Sequence, residues 1–298
     1  MSNIRFTGIM SALVSPLNED GSIRKKDMAR LMDWHLKEGF TGFYLCGGTG
    51  EGTVMQPEAR MDLVAYAKEQ VGDRAKLIAH VGAIDLITAT KLARHAGRIG
   101  LDGISSVPPF FYRYGEKEIV QYYTALAEAS GLPVIMYASP LAGVPITCEM
   151  VDRLMDIPGM VGVKWTSYDY YTMRRIRELK GGDINVLNGP DETLLCGLTM
   201  GADGGIGATY NVMPRVIQRI YSAYAAGDLA AAQQAQYQAN RLIHLLIKYD
   251  VIPAVKAILS HIGYDCGYCT YPMKRLDDNE QQAMVRELQE LGYFENYI

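Results

Sequence analysis

The sequence contains no segment enriched in lysine and arginine, and this absence argues against one class of function. Lysine and arginine together number 29, against 33 aspartate and glutamate residues, which gives a formal net charge of -4. Binding to a nucleic-acid backbone requires cations clustered on one surface. We therefore expect no nucleic-acid partner and expect a small-molecule substrate instead.

The chain also lacks an apolar run of about 20 residues, the length that spans a bilayer. Its first residues, MSNIRFTGIMSALVSP, contain a short apolar stretch broken by Pro16 and no small-residue cleavage pattern behind a basic region. Cysteines are few, and their odd number and scatter are typical of reduced thiols rather than of a disulfide framework. They are Cys46, Cys148, Cys196, Cys266 and Cys269. These absences predict a soluble cytoplasmic protein with no membrane partner.

Recognisable metal-ligand patterns are missing as well. The histidines show no spacing with carboxylates that is typical of a metal site. They are His35, His80, His95, His244 and His261. Cys266-Gly-Tyr-Cys269 has the spacing of a redox or zinc motif, but no second cysteine pair or histidine cluster completes a site. We expect neither a metal nor another cofactor.

What the chain does contain is a regular series of eight short apolar runs. Each run is rich in Val, Ile, Leu, Phe or Tyr and is bounded by Gly or Pro, as buried strands are. The runs cover residues 7–16, 42–48, 76–82, 101–109, 132–140, 160–167, 184–190 and 202–209. Helical patterns such as 25–39 and 58–72 separate most of them, which predicts parallel pairing. Eight such units predict an α/β fold, the (β/α)₈ or TIM barrel.

After the eighth run the alternation stops and the chain continues as helical patterns. We predict a barrel over 1–212 and a C-terminal helical extension over 213–298. The extension is expected to pack on the barrel, because no linker rich in Pro, Gly or Ser separates the two. A doubly wound open sheet is the main alternative, but VSPLNEDGS after the first strand is not a cofactor-binding loop.

Lys164 is the outstanding candidate among residues near the carboxyl ends of the strands, where barrels of this type build their active sites. In VGVKWTS, period-two alternation places Val161, Val163 and Trp165 on one face and Gly162, Lys164 and Thr166 on the other. If the Val and Trp face meets the outer helices, Lys164 points into the barrel. A buried neutral amine is a nucleophile that forms an imine with a ketone or aldehyde. The alternative is a strand-end lysine that reaches solvent or pairs with a carboxylate.

Two further groups follow neighbouring strands. Tyr137 ends the fifth strand, so its phenol is expected beside Lys164, where it can transfer a proton to or from a reacting hydroxyl. With 20 tyrosines in the chain, a tyrosine that only caps the core is the alternative. Asp191 and Glu192, in NGPDET, either bind sugar hydroxyls or cap the helix that follows, and the sequence leaves both open.

The loop GGTGEG, residues 47–52, follows the second strand. It lacks the Lys-Ser or Lys-Thr ending of a P-loop, so it is not expected to bind a nucleotide. Its glycines allow the backbone N–H groups of Gly48 and Thr49 to converge on a small anion, with the Thr49 hydroxyl as an added donor. A carboxylate has a suitable size.

Together these motifs resemble the pyruvate-dependent class I aldolase family that includes dihydrodipicolinate synthase and N-acetylneuraminate lyase, over nearly the whole chain. The matching elements are GGTGE (47–51), YASP at the end of strand 5, VGVKWTS on strand 6, GPDE (189–192) and GADGGIGATYN (201–211). The resemblance implies a barrel with C-terminal helices, usually a homotetramer. It also implies that Lys164 forms a Schiff base with a 2-keto acid, and that Tyr137, aided by Thr166, transfers protons. Gly48 and Thr49 would hold the carboxylate.

Within this family, the residues look most like the N-acetylneuraminate lyase subgroup. Lys164 is followed by Trp-Thr-Ser, and Gly189, Asp191 and Glu192 match the motif that binds sugar hydroxyls. The synthase pattern has an arginine shortly after the tyrosine, whereas YASPLAGVPIT has none. The alternatives are a lyase or dehydratase for a 2-keto-3-deoxy sugar acid, dihydrodipicolinate synthase, and a keto-acid-binding barrel without turnover.

Three positions depart from the lyase pattern and affect the expected substrate site. Gly48 and Ala208 each stand where the lyase has a serine. Phe111 stands where a tyrosine from a neighbouring subunit usually supports proton relay, and Tyr112 lies next to it. We still expect Ala208 and Tyr112 to line the substrate site. Lost hydrogen bonds at such positions would change affinity or substrate more than the imine chemistry.

Overall fold

Eight short parallel strands form a closed barrel in the computed structural model of the chain, which describes residues 5–140 and 144–298. The strands are β1 (Gly8–Ala12), β2 (Gly42–Leu45), β3 (Lys76–His80), β4 (Gly103–Ser106), β5 (Val134–Ala138), β6 (Met160–Trp165), β7 (Asn185–Asn188) and β8 (Gly204–Gly207). Each strand pairs with its neighbours in sequence, and β8 pairs with β1 to close the ring. The predicted (β/α)₈ barrel is confirmed, and each predicted run contains one strand.

One helix follows each strand on the outside of the barrel. They are α1 (Lys25–Lys37), α2 (Pro57–Val71), α3 (Leu86–Arg98), α4 (Glu116–Ser130), α5 (Cys148–Leu154), α6 (Tyr170–Glu178), α7 (Leu194–Thr199) and α8 (Pro214–Ala225). Several begin at residues that favour helix starts. The side chains of Asp85, Thr147 and Asp169 each accept a hydrogen bond from a backbone N–H in the first turn of α3, α5 and α6. Proline opens α2 and α8, where its missing N–H costs nothing.

Four more helices follow the barrel. They are α9 (Leu229–Lys248), α10 (Val251–His261), α11 (Asp278–Leu291) and α12 (Tyr293–Asn296). They lie against the barrel, since the Tyr293 hydroxyl donates to the Val212 carbonyl at 2.7 Å. Helix α8, which the division at 212 places in the extension, follows β8 and contacts β1. The division into 1–212 and 213–298 stays a prediction.

The barrel interior and the layer between strands and helices are two separate apolar clusters. The interior cluster consists of Phe6, Met10, Ala12, Tyr44, Ile78, Ile135, Leu187 and Ile206. As predicted for β6, Val163 and Trp165 belong to the outer layer, which leaves Lys164 facing inward. The predicted face of Val161 is wrong. The β5–β6 register shifts by one residue beside it, and this bulge turns Val161 against the interior cluster.

The sequence-based expectations for membrane spans, metal ligands and cysteines can be compared with the described residues. Across residues 5–140 and 144–298, no helix is long and apolar enough to cross a bilayer, and no group of three or more metal-ligating side chains is found. All five cysteines are free thiols. Burial raises the pKa of Cys266 to about 12 and that of Cys269 to about 11. Both thiols therefore stay protonated at neutral pH, which makes them poor nucleophiles.

Candidate active site

Lys164 and Tyr137 lie side by side near the carboxyl end of the barrel. They are direct partners in the β5–β6 register. The Lys164 ammonium lies 4.0 Å from the centre of the Tyr137 ring and 4.9 Å from that of Tyr44, and the lysine is only 6% exposed. This burial argues against a strand-end lysine that reaches solvent.

The phenol of Tyr137 is adjusted by its neighbours. The Lys164 ammonium lowers the pKa of Tyr137 below its ordinary value, and the side chains of Thr166 and Ser139 lower it further. Burial acts in the opposite direction without cancelling these effects. A phenol whose pKa is closer to neutral is a more effective proton-transfer group. Because a protonated imine carries the same positive charge as the ammonium, this influence would persist after Lys164 reacts.

The ends of β6 and β7 approach each other closely at Gly189. Its N–H donates to the Trp165 carbonyl at 2.8 Å. A Cβ atom at this position would lie 2.1 Å from Thr166 Oγ1. Glycine is therefore required here if the Thr166 hydroxyl is to keep its place beside Tyr137.

The loop after β2 is a tight turn. The Glu51 N–H donates to the Gly48 carbonyl at 3.0 Å, and the Gly52 N–H donates to the Gly47 carbonyl at 3.1 Å. A side chain at Gly52 would lie 1.8 Å from the Cys46 carbonyl oxygen, so the turn cannot be loosened by substitution there without a rearrangement. Gly48 differs, because it is exposed and open space surrounds the position of its Cβ.

Gly48 and Thr49 form the tip of this turn. Within the part of the chain that the structure describes, their backbone N–H groups have no acceptor. Free N–H groups on consecutive residues are suitable donors to a carboxylate or another small anion. The geometry is thus compatible with the carboxylate site expected from the sequence.

Asp191 and Glu192 follow β7 and occupy different environments. Asp191 Oδ2 accepts hydrogen bonds from the N–H and the hydroxyl of Thr209, both at 2.7 Å, whereas Glu192 accepts one from the Tyr168 hydroxyl. Burial raises the pKa of Asp191 to about 6. Helix α7 begins at Leu194 without a side-chain cap, so neither carboxylate has the capping role that the sequence left open.

Side chains of helix α9 donate hydrogen bonds to the backbone carbonyls of the two acidic residues. Gln236 Nε2 donates to the Asp191 carbonyl and Asn240 Nδ2 donates to the Glu192 carbonyl, both at 3.1 Å. Gln236 also accepts from the Leu195 N–H at 3.0 Å. The extension therefore contributes to the position of a loop at the barrel mouth.

Two expected substrate residues are placed differently. Ala208 lies at the end of β8, partly buried, next to the acidic pair. Tyr112 is 65% exposed, and its ring contacts are with Phe111 and Tyr114 of the same loop. The fold brings Ala208 to the site and leaves Tyr112 outside the site of its own chain.

A cavity of about 440 Å³ opens beside the ends of β5 and β6. Its lining includes Ser139, Pro140, Val144, Ile146, Thr166 and Ser167. The segment YASPLAGVPIT, in which an arginine is missing, forms part of this border, and its residues 141–143 lie outside the described residues. The cavity adjoins the candidate site at Thr166, while Lys164 and Tyr137 are not among its lining residues.

Comparison with known proteins places nearly the whole chain in one family. Residues 5–291 match the model of the Dihydrodipicolinate synthetase family. The chain belongs to this family. It is 35% identical over 281 residues to an N-acetylneuraminate lyase of Rhizobium meliloti, with 94% of each chain covered. It is 36% identical over 298 residues to an N-acetylneuraminate lyase of Escherichia coli, with 98% of this chain and 99% of the other covered.

Solved structures agree with this membership in the dihydrodipicolinate synthetase family. The Ruminococcus gnavus sialic acid aldolase superposes with a TM-score of 0.93 at 26% identity, and the match covers 98% of this chain and 99% of that one. The family resemblance stated from five motifs is confirmed, and with it the barrel that carries C-terminal helices.

The family barrel also holds residues around Lys164 that were not identified from the sequence. Tyr44, on β2, donates to the Ser105 hydroxyl at 3.0 Å. The ring centre of His80, on β3, lies 6.1 Å from that of Tyr137, and burial lowers the pKa of His80 to about 3, so its imidazole is neutral. Period-two alternation through GFYL and KLIAH is the signal that would have placed both side chains inside the barrel.

Asp191 is expected to make folding stability depend on pH. Its pKa of about 6 in the folded chain lies above the ordinary 3.8, so the unfolded chain ionises first as pH rises. This contribution therefore lowers stability from about pH 4 upward, and the loss is complete above about pH 6. We compare the free energy of unfolding of Asp191→Asn with that of wild type at each pH. The difference, variant minus wild type, should be about 1.4 kcal/mol larger at pH 8 than at pH 5.

Urea denaturation at the two pH values measures this difference. Asp169→Asn is the matched control, because hydrogen bonds from Thr172 lower the pKa of this exposed carboxylate below 3.8, so it is ionised in both the folded and the unfolded chain at pH 5 and at pH 8 and its change in stability should be equal at the two pH values. An Asp191→Asn variant whose change in stability is equal at both pH values would contradict the expectation.

Proposed function

We propose that this chain is a Schiff-base lyase that cleaves N-acetylneuraminate to pyruvate and N-acetylmannosamine. The observation that carries the proposal is the buried Lys164 ammonium 4.0 Å from the Tyr137 ring on the adjacent strand. Two lyases that are 35% and 36% identical over nearly the full length support the choice of substrate.

The reaction begins when the neutral amine of Lys164 attacks the 2-keto carbon of the open-chain sugar acid. The hydroxyl of the resulting carbinolamine takes up one proton from solvent and leaves as water, which gives a protonated imine. Tyr137, aided by Thr166, removes the proton from the 4-hydroxyl, and the C3–C4 bond breaks. Its electrons form an enamine with the imine carbon while the aldehyde leaves. Protonation at C3 and hydrolysis of the imine then release pyruvate and free Lys164.

The remaining residues of the site bind and orient the substrate. The N–H groups of Gly48 and Thr49 donate to the carboxylate next to the keto group. Asp191 and Glu192 accept hydrogen bonds from the polyol hydroxyls, which contributes specificity and orientation more than rate. Gly189, which leaves room for the Thr166 hydroxyl, is proposed to contact the polyol chain. Glu192 also holds Tyr168, so its second oxygen is the one proposed to face the substrate.

We also propose that the enzyme is a homotetramer in which Tyr112 enters the site of a neighbouring subunit. The loops and helix starts after β3 and β4 expose an apolar patch at the edge of the barrel. The patch consists of Ile84, Leu86, Ile87, Phe111 and Tyr112, which are 46% to 82% exposed. Exposed patches of this kind usually mark interfaces. A neighbouring copy would cover it and give Tyr112 the proton-relay role that its own chain does not allow.

Two further parts of the proposal concern the chain as a whole. We propose that the extension over 213–298 acts as a support for the barrel over 1–212, as the bonds from α9 to the acidic loop suggest. The free cysteines support a cytoplasmic location, where thiols stay reduced.

A substrate panel tests the proposed reaction. Pyruvate release is measured in parallel from N-acetylneuraminate and from 2-keto-3-deoxygluconate, and we expect the higher kcat/KM for N-acetylneuraminate. Preference for 2-keto-3-deoxygluconate would support the alternative lyase. Release of pyruvate from neither compound, although pyruvate itself forms an adduct on Lys164, would refute the substrate assignment and leave the imine chemistry standing.

Gly48→Ser tests whether the missing hydroxyl limits affinity. Space around Gly48 admits the side chain, so the fold should be unaffected. One added hydrogen bond to the substrate carboxylate should lower KM for N-acetylneuraminate by roughly three- to tenfold. Gly48→Ala is the matched control, since it adds the Cβ without the hydroxyl. An equal KM for the two variants would contradict the expected contact.

A further inference from the structure

Glu51 and Lys256 form a buried ion pair that joins the loop after β2 to helix α10. Lys256 Nζ lies 2.5 Å from Glu51 Oε1, and the two side chains are 2% and 0% exposed. Glu51 Oε2 also accepts a hydrogen bond from the Thr270 N–H at 2.6 Å, and Lys256 Nζ donates to the Tyr268 carbonyl at 3.0 Å. The loop is thus attached through Glu51 to two residues of the C-terminal extension, both more than 200 residues away in sequence.

The pair lies at one end of the turn that presents Gly48 and Thr49. Cys46 and Glu51, on either side of this tip, have φ values of 55° and 57°. Residues other than glycine rarely adopt this left-handed conformation, and they keep it only where surrounding contacts impose it. Because the Glu51 N–H donates to the Gly48 carbonyl at 3.0 Å, the position of Glu51 also affects the direction of the N–H groups at the tip.

The charge of Glu51 is unfavourable for binding an anion at this place. A carboxylate within the loop repels a second carboxylate, and the repulsion is stronger in a buried environment than in water. Lys256 compensates the charge of Glu51. Electrostatic attraction of the substrate carboxylate would account for a lysine at position 256, but not for a glutamate at position 51. The contacts of Glu51 instead fix the shape of the loop.

We propose that Glu51 and Lys256 are positioning residues, which hold the turn so that the N–H groups of Gly48 and Thr49 face the carboxylate of the 2-keto acid. This inference rests on the proposed function, because the carboxylate belongs to the proposed substrate. It gives helix α10 a role in binding the substrate, although neither Lys164 nor Tyr137 belongs to that helix.

Glu51→Ala distinguishes positioning from electrostatics by the sign of its effect. Removal of a negative charge from the loop would strengthen pyruvate binding if charge alone mattered. If Glu51 positions the turn, the Kd for pyruvate rises by about tenfold or more. Pyruvamide has the same ketone without the carboxylate charge, so its Kd should change by less than about twofold. Both constants are obtained from the concentration dependence of borohydride trapping on Lys164.

Further variants keep the test conclusive. Lys256→Met should also weaken pyruvate binding and leave pyruvamide binding unchanged, but because it leaves the charge of Glu51 uncompensated, only the Glu51 variants distinguish positioning from charge. Lys248→Met is the matched control, because Lys248 forms an ion pair with Glu287 on the surface between α9 and α11. It should leave both constants unchanged. If Glu51→Ala does not fold, Glu51→Gln keeps the side-chain shape and should still weaken pyruvate binding, whereas charge alone predicts tighter binding.

The outcomes separate this inference from the proposed function. A wild-type chain that traps neither pyruvate nor pyruvamide would refute the proposed Schiff base. A wild-type chain that traps both, together with a folded Glu51 variant that binds pyruvate as tightly as wild type or more tightly, would overturn the positioning role alone. Equal weakening of pyruvate and pyruvamide would overturn it as well, because the damage would then not concern the carboxylate.

Discussion

Replacing Lys164 with alanine is expected to abolish cleavage of N-acetylneuraminate, with a loss in kcat of about 10⁴- to 10⁶-fold. The amine is the only nucleophile proposed for the 2-keto carbon, and without an imine the C3–C4 bond has no electron sink. Steady-state kinetics with pyruvate detection measures the loss. The buried position of Lys164 on the inner face of β6 means that no mobile surface lysine is expected to replace it.

Lys164→Arg is the second variant to measure, because it keeps the positive charge beside Tyr137 but cannot form an imine with the keto group. Both variants should lose activity. The loss in Lys164→Arg would show that the positive charge without the nucleophilic amine does not support cleavage. Far-UV circular dichroism and thermal unfolding verify the fold of each. A folded Lys164→Ala enzyme that retains more than a few per cent of wild-type kcat would contradict the mechanism.

Tyr137→Phe is expected to lower kcat by about 10²- to 10⁴-fold, the range typical of a lost proton-transfer group. The variant keeps the ring 4.0 Å from the Lys164 ammonium and removes only the hydroxyl whose pKa that ammonium lowers. Imine formation with pyruvate should therefore persist while cleavage of the sugar acid is lost. Borohydride trapping and steady-state kinetics on the same preparation measure the two steps separately.

Tyr44→Phe is the matched control for this variant. Its ring also faces Lys164, at 4.9 Å, but its hydroxyl donates to Ser105 and has no proposed role in proton transfer. We expect it to lose stability through the missing hydrogen bond and to keep most of its kcat. A loss in Tyr44→Phe as large as that in Tyr137→Phe would show that the aromatic surroundings of Lys164, rather than the phenol of Tyr137, determine the rate.

The central pair of the site was predictable because a closed parallel barrel converts sequence position into spatial position. All eight strands end at the same face, so the sequence predicts that Tyr137 at the end of β5 and Lys164 on β6 are neighbours. Period-two alternation then gave the inward direction of Lys164. The same rule was wrong for Val161, because a register shift between β5 and β6 cannot be read from the local pattern.

The residues that hold the loops of the site in position were not predictable in the same way. Glu51 and Lys256 are far apart in sequence, and each looks like an ordinary charged residue in its own segment. The bonds from Gln236 and Asn240 to the acidic loop are equally distant from any motif. They depend on how the extension packs against the barrel, and neither composition nor periodicity specifies that arrangement.

The most direct measurement of the imine chemistry is reduction of the enzyme with borohydride in the presence of pyruvate, followed by mass spectrometry of its peptides. The expected result is a single reduced pyruvate adduct on Lys164, in the peptide that contains VGVKWTS, and its absence when pyruvate is omitted. An enzyme that releases pyruvate from N-acetylneuraminate without any adduct on Lys164, or with the adduct on another lysine, would contradict the Schiff-base mechanism.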